Sequence, residues 1–383
     1  MKPTKPKVVL LTTFVAPYRI SLFEELQKKV GGLKIFISTK MEPNRKWDVE
    51  WRSLDVTLQK TISIPCTWKH PHGFQERYYL HIPIDTIFLL QKNKPDVVIS
   101  VEFGFRTIFS IIYSLFHPNC KLIIWATISS ITEIGRSKVR TSMRKFLLKF
   151  CDAVLVNGKS GREYINSLGF SNELIFYAPY STDTKLFKDI NISRHGQNAH
   201  RLLFIGQLIE RKGLTSFVNE LISWLKKNKK INFEFWIAGY GQQLNYFKAI
   251  ELPLNLKINY LGAINYYDLP NVYQQCGALI FPTMADEWGI VVNEAMASGC
   301  IVIGSIFSQS VMEMVFNDKN GWTFNPNNLN EIENILDNFY ETEIKQLNEM
   351  RKIAKNTSEV FSSQNIANLM NSAIQYVLNE GKD

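Results

Sequence analysis

Short apolar runs rich in β-branched residues alternate with amphipathic segments along this chain, and the alternation occurs twice. Such runs are typical of buried strands in a parallel sheet, and amphipathic segments are typical of the helices that cover it. This order favours parallel sheets with helices on both faces, so we predict an α/β fold of two doubly wound Rossmann-like domains. The predicted strands are residues 8–11, 33–37, 95–101, 121–125 and 153–157, and then 201–206, 233–238, 258–261, 278–281 and 301–303.

A polar stretch without periodicity, residues 187–200, separates the two alternations, and 383 residues suffice for two domains of ordinary size. Ligands of doubly wound domains bind at the carboxyl ends of the strands, so we expect a site in a cleft between two facing domains. Residues 40–80 are irregular and rich in Trp, Pro and Tyr, and we interpret them as a loop insertion. The predicted division is an N-terminal acceptor-binding domain (1–188), a linker (189–200), a donor-binding domain (201–360), and a C-terminal helix (361–383) that packs back on the first domain.

Composition narrows the classes of partner. The five cysteines are scattered without close pairs, which indicates a reducing, cytoplasmic compartment and neither a zinc site nor a disulfide framework. The apolar runs are shorter than the roughly 18 residues that a membrane span needs, so we expect a soluble or peripheral protein. The net charge of +9 favours anionic partners. Nucleic acid is not expected, because glycine-rich and aromatic nucleic-acid signatures are absent from the sequence.

The segment 281–303 carries two acids at the junction of a predicted loop and helix. Asp286 lies in the loop, and Glu294 lies about one turn inside the helix, so their carboxylates are on the order of 10 Å apart. Backbone N–H groups at the helix start between them form an anion site. A nucleotide sugar, which has hydroxyls at both ends and phosphate in the middle, fits this layout. The N–H groups are those of Trp288, Gly289, Ile290 and Val291.

Two glycine turns follow predicted strands of the second half. In the first, Gly206 to Gly213, the cations Arg211 and Lys212 stand near the carboxyl end of a strand, where they would bind phosphate. A solvated turn before a helix remains the alternative for this segment. The second turn contains Gly239, and by itself it is weak evidence because glycine simply permits positive φ.

The order and spacing of these segments resemble the nucleotide-sugar domain of the family 4 retaining glycosyltransferases of the GT-B fold (glycosyl transferases group 1). That pattern has Gly-Arg-Leu…Lys-Gly, Gly-x-Gly, a Leu-Gly strand, Leu-Pro-x-x-Tyr, two acids separated by seven residues, and Ala-Met-Ala-x-Gly. Nearly all of it is present in order between residues 202 and 304. The first half is similar more loosely, through Ala16-Pro-Tyr-Arg19, the segment 151–157, and Asp183 with Phe187. Two departures are Gln207 in place of Arg, and Asp286 with Glu287 beside it in place of a first Glu.

The resemblance implies a role for each matching residue. Asp286 and the N–H groups after it would hold the donor sugar, Glu294 would accept hydrogen bonds from the ribose, and Arg211 and Lys212 would stabilise the leaving diphosphate. These cations would replace a metal, so neither a metal nor another cofactor is expected, and no dedicated nucleophile is expected. The remaining predicted donor-binding residues are Gly206, Gly239, Glu287, Gly289, Ile290 and Val291.

Acceptor residues are less defined by the sequence. Glu102 and Glu133 each follow a predicted strand of the first half, and either one could orient an acceptor hydroxyl or take its proton. The alternative for both is a surface carboxylate. We predict Glu133 as the catalytic one. His70 and His72 are interpreted as polar loop residues rather than metal ligands.

Residues 136–150 form a basic segment without an acid, and Val139, Met143, Phe146, Leu147 and Phe150 fall on one face of its predicted helix. Two interpretations remain open for that face. It packs on the sheet as an ordinary helix, or it lies on an anionic membrane.

Together these features predict a retaining hexosyltransferase that moves a sugar from a nucleotide-diphosphate sugar to a lipid-linked glycan in cell-surface polysaccharide biosynthesis. We expect it in the cytoplasm, peripheral to the inner face of the membrane. The alternatives are a nucleotide-sugar epimerase of the same fold and a non-catalytic sugar-nucleotide-binding scaffold. Donor turnover without an acceptor would favour the epimerase.

Overall fold

The computed structural model describes residues 5–45, 47, 50–71, 73–328 and 330–379. It divides the chain into two compact units. The first unit comprises Met1–Ser181 and Ser363–Asp383, and the second comprises Thr182–Ser362. Among the described residues, no helix is long and apolar enough to cross a membrane.

The strands alternate with helices along the chain, as the periodicity predicted. The strands are β1 (Lys7–Thr12), β2 (Gly32–Ile37), β3 (Asp55–Leu58), β4 (Thr61–Lys69), β5 (Gln75–Pro83), β6 (Val97–Val101), β7 (Lys121–Ala126), β8 (Ala153–Val156), β9 (Ile175–Tyr177), β10 (Leu202–Ile205), β11 (Phe233–Ala238), β12 (Leu256–Gly262), β13 (Ala278–Phe281), β14 (Ile301–Ser305) and β15 (Gly321–Phe324). The helices are α1 (Pro17–Gln27), α2 (Thr86–Asn93), α3 (Phe105–Phe116), α4 (Lys138–Leu148), α5 (Lys159–Ser167), α6 (Gln197–His200), α7 (Leu214–Lys227), α8 (Leu244–Ala249), α9 (Leu269–Tyr273), α10 (Ile290–Ala297), α11 (Gln309–Met314), α12 (Asn330–Glu341), α13 (Ile344–Val360) and α14 (Ser363–Asn379).

The first unit is built on a parallel sheet with the strand order β3-β2-β1-β6-β7-β8-β9. Buried residues of α1 and α14 form a core with one face of this sheet, including Phe23 and Ile374. Buried residues of α2, α3, α4 and α5 form a second core on the opposite face, including Leu90 and Leu147. The unit therefore has helices on both faces of its sheet, as a doubly wound fold requires.

The prediction of a loop insertion at residues 40–80 was wrong. This segment contains β3, which extends the parallel sheet beside β2, and most of the antiparallel hairpin of β4 and β5. Many side chains of the β4–β5 hairpin are exposed to solvent, so these strands lack the continuous apolar run that marks a buried strand. Strand β15 was also missed, since its four residues are preceded by a polar loop and carry little periodicity.

The second unit contains a parallel sheet with the order β12-β11-β10-β13-β14-β15. The chain proceeds outward from β10 to β12 in one direction and from β13 to β15 in the other. The switch point of this sheet therefore lies between β10 and β13, which pair directly. In the first unit the corresponding switch point lies between β1 and β6. Doubly wound sheets bind ligands at the carboxyl ends of the strands that flank such a point.

The segment predicted as a linker packs within the second unit. Arg194 is 2% exposed, and its guanidinium donates to the carbonyl oxygens of Ser298 at 3.0 Å and of Cys276 at 3.3 Å. Helix α6 also lies in this segment, with Ala199 fully buried. At the other end of the chain, α14 packs against α1 in the first unit.

Candidate functional site

The turn that follows β10 carries two cations and is held against the loop that follows β13. The turn is a single 3-10 segment, Glu210–Lys212, and it ends at Gly213, where φ is +67°. A Cβ on Gly213 would lie 2.0 Å from the carbonyl oxygen of Pro282, so only glycine permits this close approach. The carbonyl of Arg211 accepts hydrogen bonds from the Met284 amide at 2.8 Å and from the Thr283 hydroxyl at 3.2 Å. The two loops flanking the switch point therefore form one structure.

Asp286 lies beside both cations. The Lys212 ammonium donates a hydrogen bond to Asp286 Oδ2, and Arg211 Nη1 lies 3.4 Å from the same oxygen. Arg211 also donates to the carbonyl of Ala285 at 2.9 Å. Burial by itself would raise the pKa of Asp286, but the charges of Lys212 and Arg211 outweigh it and lower that pKa below its ordinary value. The three side chains remain 13–14% exposed, so the ionised cluster is accessible from solvent.

Helix α10 begins immediately after this cluster. Gly289 caps it with φ +98°, and a Cβ there would lie 2.5 Å from the ring of Phe281. Trp288 is buried, its indole donates to Asn293 Oδ1 at 2.7 Å, and its amide lies 3.4 Å from Asp286 Oδ1. The N–H groups of the first turn, which includes Ile290 and Val291, have no intrahelical acceptor and suit an anion. The start of α10 is thus positioned beside the acid–cation cluster.

Glu294, one turn further along α10, has the opposite electrostatic environment. It is 3% exposed, and the Tyr273 hydroxyl donates to its Oε2 at 3.1 Å. Burial raises the pKa of Glu294 to about 8, and the hydrogen bond from Tyr273 offsets this only in part. A buried carboxyl with one neutral donor has unused acceptor capacity, which hydroxyl groups of a ligand can fill.

The other predicted donor residues line the same edge of the sheet. Gly206 continues β10, and its amide donates to the carbonyl of Ala238 at 3.0 Å. Gly239 continues β11, and its amide donates to the carbonyl of Gly262 at 2.7 Å. Glu287 has an exposed side chain, and its carbonyl accepts a hydrogen bond from Gln309 at 2.7 Å. Gln207 follows Gly206 at the end of β10 and is partly buried.

A comparison with known protein families matches a stretch of the chain that includes the residues described above. Residues 187–357 match the model of the family described as Glycosyl transferases group 1. Over these residues, the chain is similar to the glycosyl transferases group 1 family.

Several curated glycosyltransferases match parts of the chain. An uncharacterized glycosyltransferase of Methanocaldococcus jannaschii is 29% identical over 129 residues, which are 33% of this chain and 32% of the relative. A Campylobacter jejuni protein named GalNAc-alpha-(1->4)-GalNAc-alpha-(1->3)-diNAcBac-PP-undecaprenol alpha-1,4-N-acetyl-D-galactosaminyltransferase is 23% identical over 186 residues, or 49% of this chain and 50% of the relative. The matched stretches thus span about a third and a half of the lengths of these two relatives.

Among solved structures, HepE of Anabaena in complex with UDP is similar over 97% of this chain and 100% of its own, with a TM-score of 0.72 and 16% identity. At that identity the likeness concerns the fold. It confirms the predicted class, GT-B, with two Rossmann-like domains.

The first unit contains Glu133, the residue predicted as catalytic on the acceptor side. Its carboxylate is 4% exposed and forms a two-pronged ion pair with Arg144, which is 1% exposed. Arg144 Nη2 lies 3.1 Å from Oε1, and Nη1 donates to Oε2 and also to the Tyr164 hydroxyl at 2.7 Å. Arg140 lies 3.7 Å from the same carboxylate. In the described structure, Glu133 anchors α4, and its catalytic role stays a prediction.

Glu102, the other acceptor-side candidate, lies at the switch point of the first sheet. It follows β6 with φ +67°, a left-handed conformation that is uncommon for a residue with a side chain. Its Oε1 accepts hydrogen bonds from the amide, at 2.9 Å, and from the hydroxyl of Thr127. Strain of this kind clusters at functional sites, so the geometry favours Glu102 over Glu133 as a functional carboxylate.

Sequence reasoning missed Arg106 entirely, and it named Arg19 only as part of a loosely similar segment of the first half. Arg106 is 6% exposed, donates to the Ser38 hydroxyl at 2.9 Å, and has a pKa lowered to about 10 by burial, although Glu102 opposes the shift. Arg19 is 7% exposed and stacks over the rings of Trp125 and Tyr180. The available signal for Arg106 was that it is the one charged residue in the apolar stretch 103–116.

Of the two histidines discussed from the sequence, the structure describes His70, which packs against an aromatic ring. His70 stacks on Phe74 with ring centroids 4.5 Å apart and lies 3.3 Å from the carbonyl of Ile131. His72 lies outside the described residues. Within the described part of the chain, no group of three or more His, Cys, Asp and Glu residues is placed to hold a metal ion.

Proposed function

We propose that this protein is a retaining glycosyltransferase of family 4 that transfers a hexose from a nucleotide-diphosphate sugar to a lipid-linked glycan acceptor. The observation that carries the proposal is the cluster of Lys212, Arg211 and Asp286 at the switch point of the second sheet, beside the start of α10. Glu294 lies one turn along the same helix. The cations and the helix N–H groups suit the diphosphate of a nucleotide sugar. The Asp286 carboxylate suits its sugar, and the buried Glu294 carboxyl suits its ribose.

The donor is held through charge and hydrogen bonding. The ribose hydroxyls donate to Glu294, whose buried carboxyl accepts a hydrogen bond from Tyr273 and has further acceptor capacity. The diphosphate lies against Lys212 and Arg211, with the N–H groups of Gly289, Ile290 and Val291 next to it. Asp286 accepts hydroxyl hydrogen bonds from the sugar. The solved HepE structure, whose title states a complex with UDP, supports a nucleoside diphosphate as the ligand class.

Leaving-group stabilisation is the main catalytic contribution of the chain. When the bond between sugar and diphosphate breaks, negative charge grows on the phosphate oxygen, and a preorganised cation stabilises that transition state more than the bound donor. Lys212 is held by Asp286 and lies over the Phe281 ring at 5.3 Å, so its ammonium is positioned before the donor arrives. With these cations in place, we propose that the reaction needs no metal and no covalent intermediate, and that the acceptor attacks on the face the diphosphate leaves.

The acceptor side lies on the first unit in this proposal. Glu102, Arg19 and Arg106 surround the switch point of its sheet, where a doubly wound domain binds ligands. Glu102 orients an acceptor hydroxyl, and the two arginines favour an acceptor that carries negative charge. A lipid-linked glycan carries such charge in its phosphate groups. The name of the Campylobacter relative includes a PP-undecaprenol acceptor, which supports this class.

The test has two stages. The first is a thermal-shift panel of nucleotide sugars, in which a ligand at 100 times its dissociation constant stabilises the protein by about 2.7 kcal/mol. The second is transfer from the selected donor to a lipid-linked glycan, with the anomeric configuration of the product measured by NMR. We expect retention. Donor conversion without an acceptor would replace this proposal with an epimerase, and donor binding without any turnover would replace it with a binding scaffold.

Lys212→Ala provides the matched variant, and Lys226→Ala provides its control. Lys226 is an exposed lysine of α7 in the same unit, so its removal changes net charge equally without touching the cluster. We expect loss of transfer for the first variant and normal transfer for the second. Equal activity of both variants would show that the cluster does not contribute the leaving-group cation.

A further inference from the structure

The outer side of α4 is apolar and exposed. Val139 is 79% exposed, Phe146 is 58% exposed and Met143 is 39% exposed. The residues that attach α4 to the unit are instead Arg144, Leu147 and Leu148. Packing on the sheet, the first interpretation of this segment, therefore explains only part of the apolar face of α4. The remaining part is presented to solvent.

The helices next to α4 also carry exposed apolar side chains. Helix α3 packs against both α2 and α4, and all three cover the same face of the first sheet. At the end of α3, Phe116 is 79% exposed and Leu115 is 62% exposed, and on α2 Phe88 is 66% exposed. Isolated exposed apolar residues are ordinary, but large exposed ones on three helices that pack side by side over one sheet face indicate an interaction surface. We call it the α2–α4 surface: Phe88, Leu115, Phe116, Val139, Met143 and Phe146.

The charge on α4 is positive and includes no acid. Lys138, Lys145 and Lys149 are exposed. The arginines of the segment are engaged elsewhere, since Arg144 is buried in its ion pair and Arg136 lies 3.9 Å above the Trp68 ring. Three lysines, rather than all six basic residues of the segment, are therefore presented to a partner.

We propose that the α2–α4 surface docks on an anionic lipid membrane. Lysines interleaved with exposed Phe and Val on a single helix match the pattern of interfacial membrane binding, in which apolar side chains enter the headgroup region and cations contact anionic lipid. A protein interface of ordinary composition is instead depleted in lysine at its centre. The inference rests on the proposed function, because docking on a membrane would bring the protein to a lipid-linked acceptor. Its test requires neither donor nor acceptor, so the two proposals fail separately.

The first experiment tests the role of charge by co-sedimentation of the full chain with vesicles. One set of vesicles contains phosphatidylcholine alone, and the other contains about 30 mol% phosphatidylglycerol as the anionic lipid. Wild type should bind the anionic vesicles and lose binding at high salt. Changing Lys138, Lys145 and Lys149 together to Gln should weaken binding about fivefold per lysine, or about a hundredfold in all. The matched control changes the exposed Lys226, Lys229 and Lys230 of the second unit to Gln, with the same loss of charge. Equal weakening in both variants would indicate nonspecific attraction and overturn the proposal.

The apolar arm tests insertion. Phe116→Ser with Phe146→Ser should weaken anionic-vesicle binding by about tenfold or more, because two aromatic side chains lose an apolar environment. Its control is Leu254→Ser with Phe316→Ser, two exposed positions of the second unit. Thermal melting checks that every variant is folded. Unchanged binding of the first variant would overturn the proposal. So would a concentration-dependent dimer of wild type that the same variant abolishes, since a second copy would then cover this surface.

Discussion

Two carboxylate–cation groups in this molecule have the same chemistry and different degrees of burial. Glu133 and Arg144 are 4% and 1% exposed, and the guanidinium contacts both carboxylate oxygens. Asp286 and Lys212 are 13% and 14% exposed, and the cations arise from a short turn at the end of a strand. In the first group, the carboxylate and the guanidinium neutralise each other inside the protein. The second leaves charge accessible at the point of the sheet where ligands bind.

The comparison shows why charge alone does not identify a site. A sealed ion pair mainly fixes geometry, and here it attaches α4 to the first unit. An ion pair at a switch point, tied by backbone hydrogen bonds and open to solvent, holds its cations ready for another anion. The following predictions test whether the two groups differ as their surroundings indicate.

The largest effect is expected from Arg144→Met. It leaves the Glu133 carboxylate buried without its partner, which should lower the free energy of unfolding by about 3–5 kcal/mol. Urea unfolding measures this, and the double variant Arg144→Met with Glu133→Gln should recover part of the loss because the stranded charge is removed. Glu133→Gln should also leave turnover nearly normal once the protein is folded. A large loss of turnover at unchanged stability would restore the catalytic role predicted for Glu133.

Lys212→Ala should act on catalysis instead. Removal of one preorganised charge donor typically lowers turnover by about 10²–10³-fold, whereas donor binding should fall less because the leaving-group charge grows only in the transition state. Steady-state kinetics give kcat and KM separately, and Lys212→Arg should rescue part of the rate. A variant with normal kcat would place the essential cation elsewhere, and Arg19 would then be tested next.

Glu294→Gln should weaken donor binding while keeping the shape of the side chain. Hydrogen bonds to a charged group contribute about 1.5–3 kcal/mol, so calorimetry above pH 8, where Glu294 is ionised, should show roughly a tenfold to hundredfold rise in the donor dissociation constant. The matched control is Glu341→Gln, which changes an exposed glutamate of α12 in the same unit. Equal affinity of both variants and wild type would remove Glu294 from the donor site.

The raised pKa of Glu294 predicts a pH dependence with a defined sign. Between its ordinary value of 4.5 and about 8, the native carboxyl holds a proton that the unfolded chain has released. Its contribution to stability is therefore complete below pH 4.5 and is lost as pH rises to about 8, by at most about 1.4 kcal/mol per pH unit. Donor affinity should rise over the upper part of this range, because ribose hydroxyls bind the ionised form. Urea titrations of wild type against Glu294→Gln measure the difference, and identical pH profiles would contradict it.

Much of the fold was predictable because its strands are buried on both faces. Such strands appear as continuous apolar runs, and all ten predicted runs occur as strands. Strand β3 and the β4–β5 hairpin were missed because many of their side chains are exposed, and exposed strands have no continuous apolar run. The GT-B class followed from motif order rather than from composition, and the likeness to HepE confirms it.

By itself, the sequence determined the strand–helix alternation, the glycines that permit the close turns, and the positions of Asp286, Glu294, Arg211 and Lys212 relative to strand ends. These are local properties, set by periodicity and by backbone sterics. Only the tertiary structure decided what each charge contacts. It placed Lys212 on Asp286, sealed Arg144 against Glu133, brought the unpredicted Arg106 to a switch point, and left Phe146 in solvent. Burial and ion pairing depend on residues distant in the chain, so no local pattern contains them.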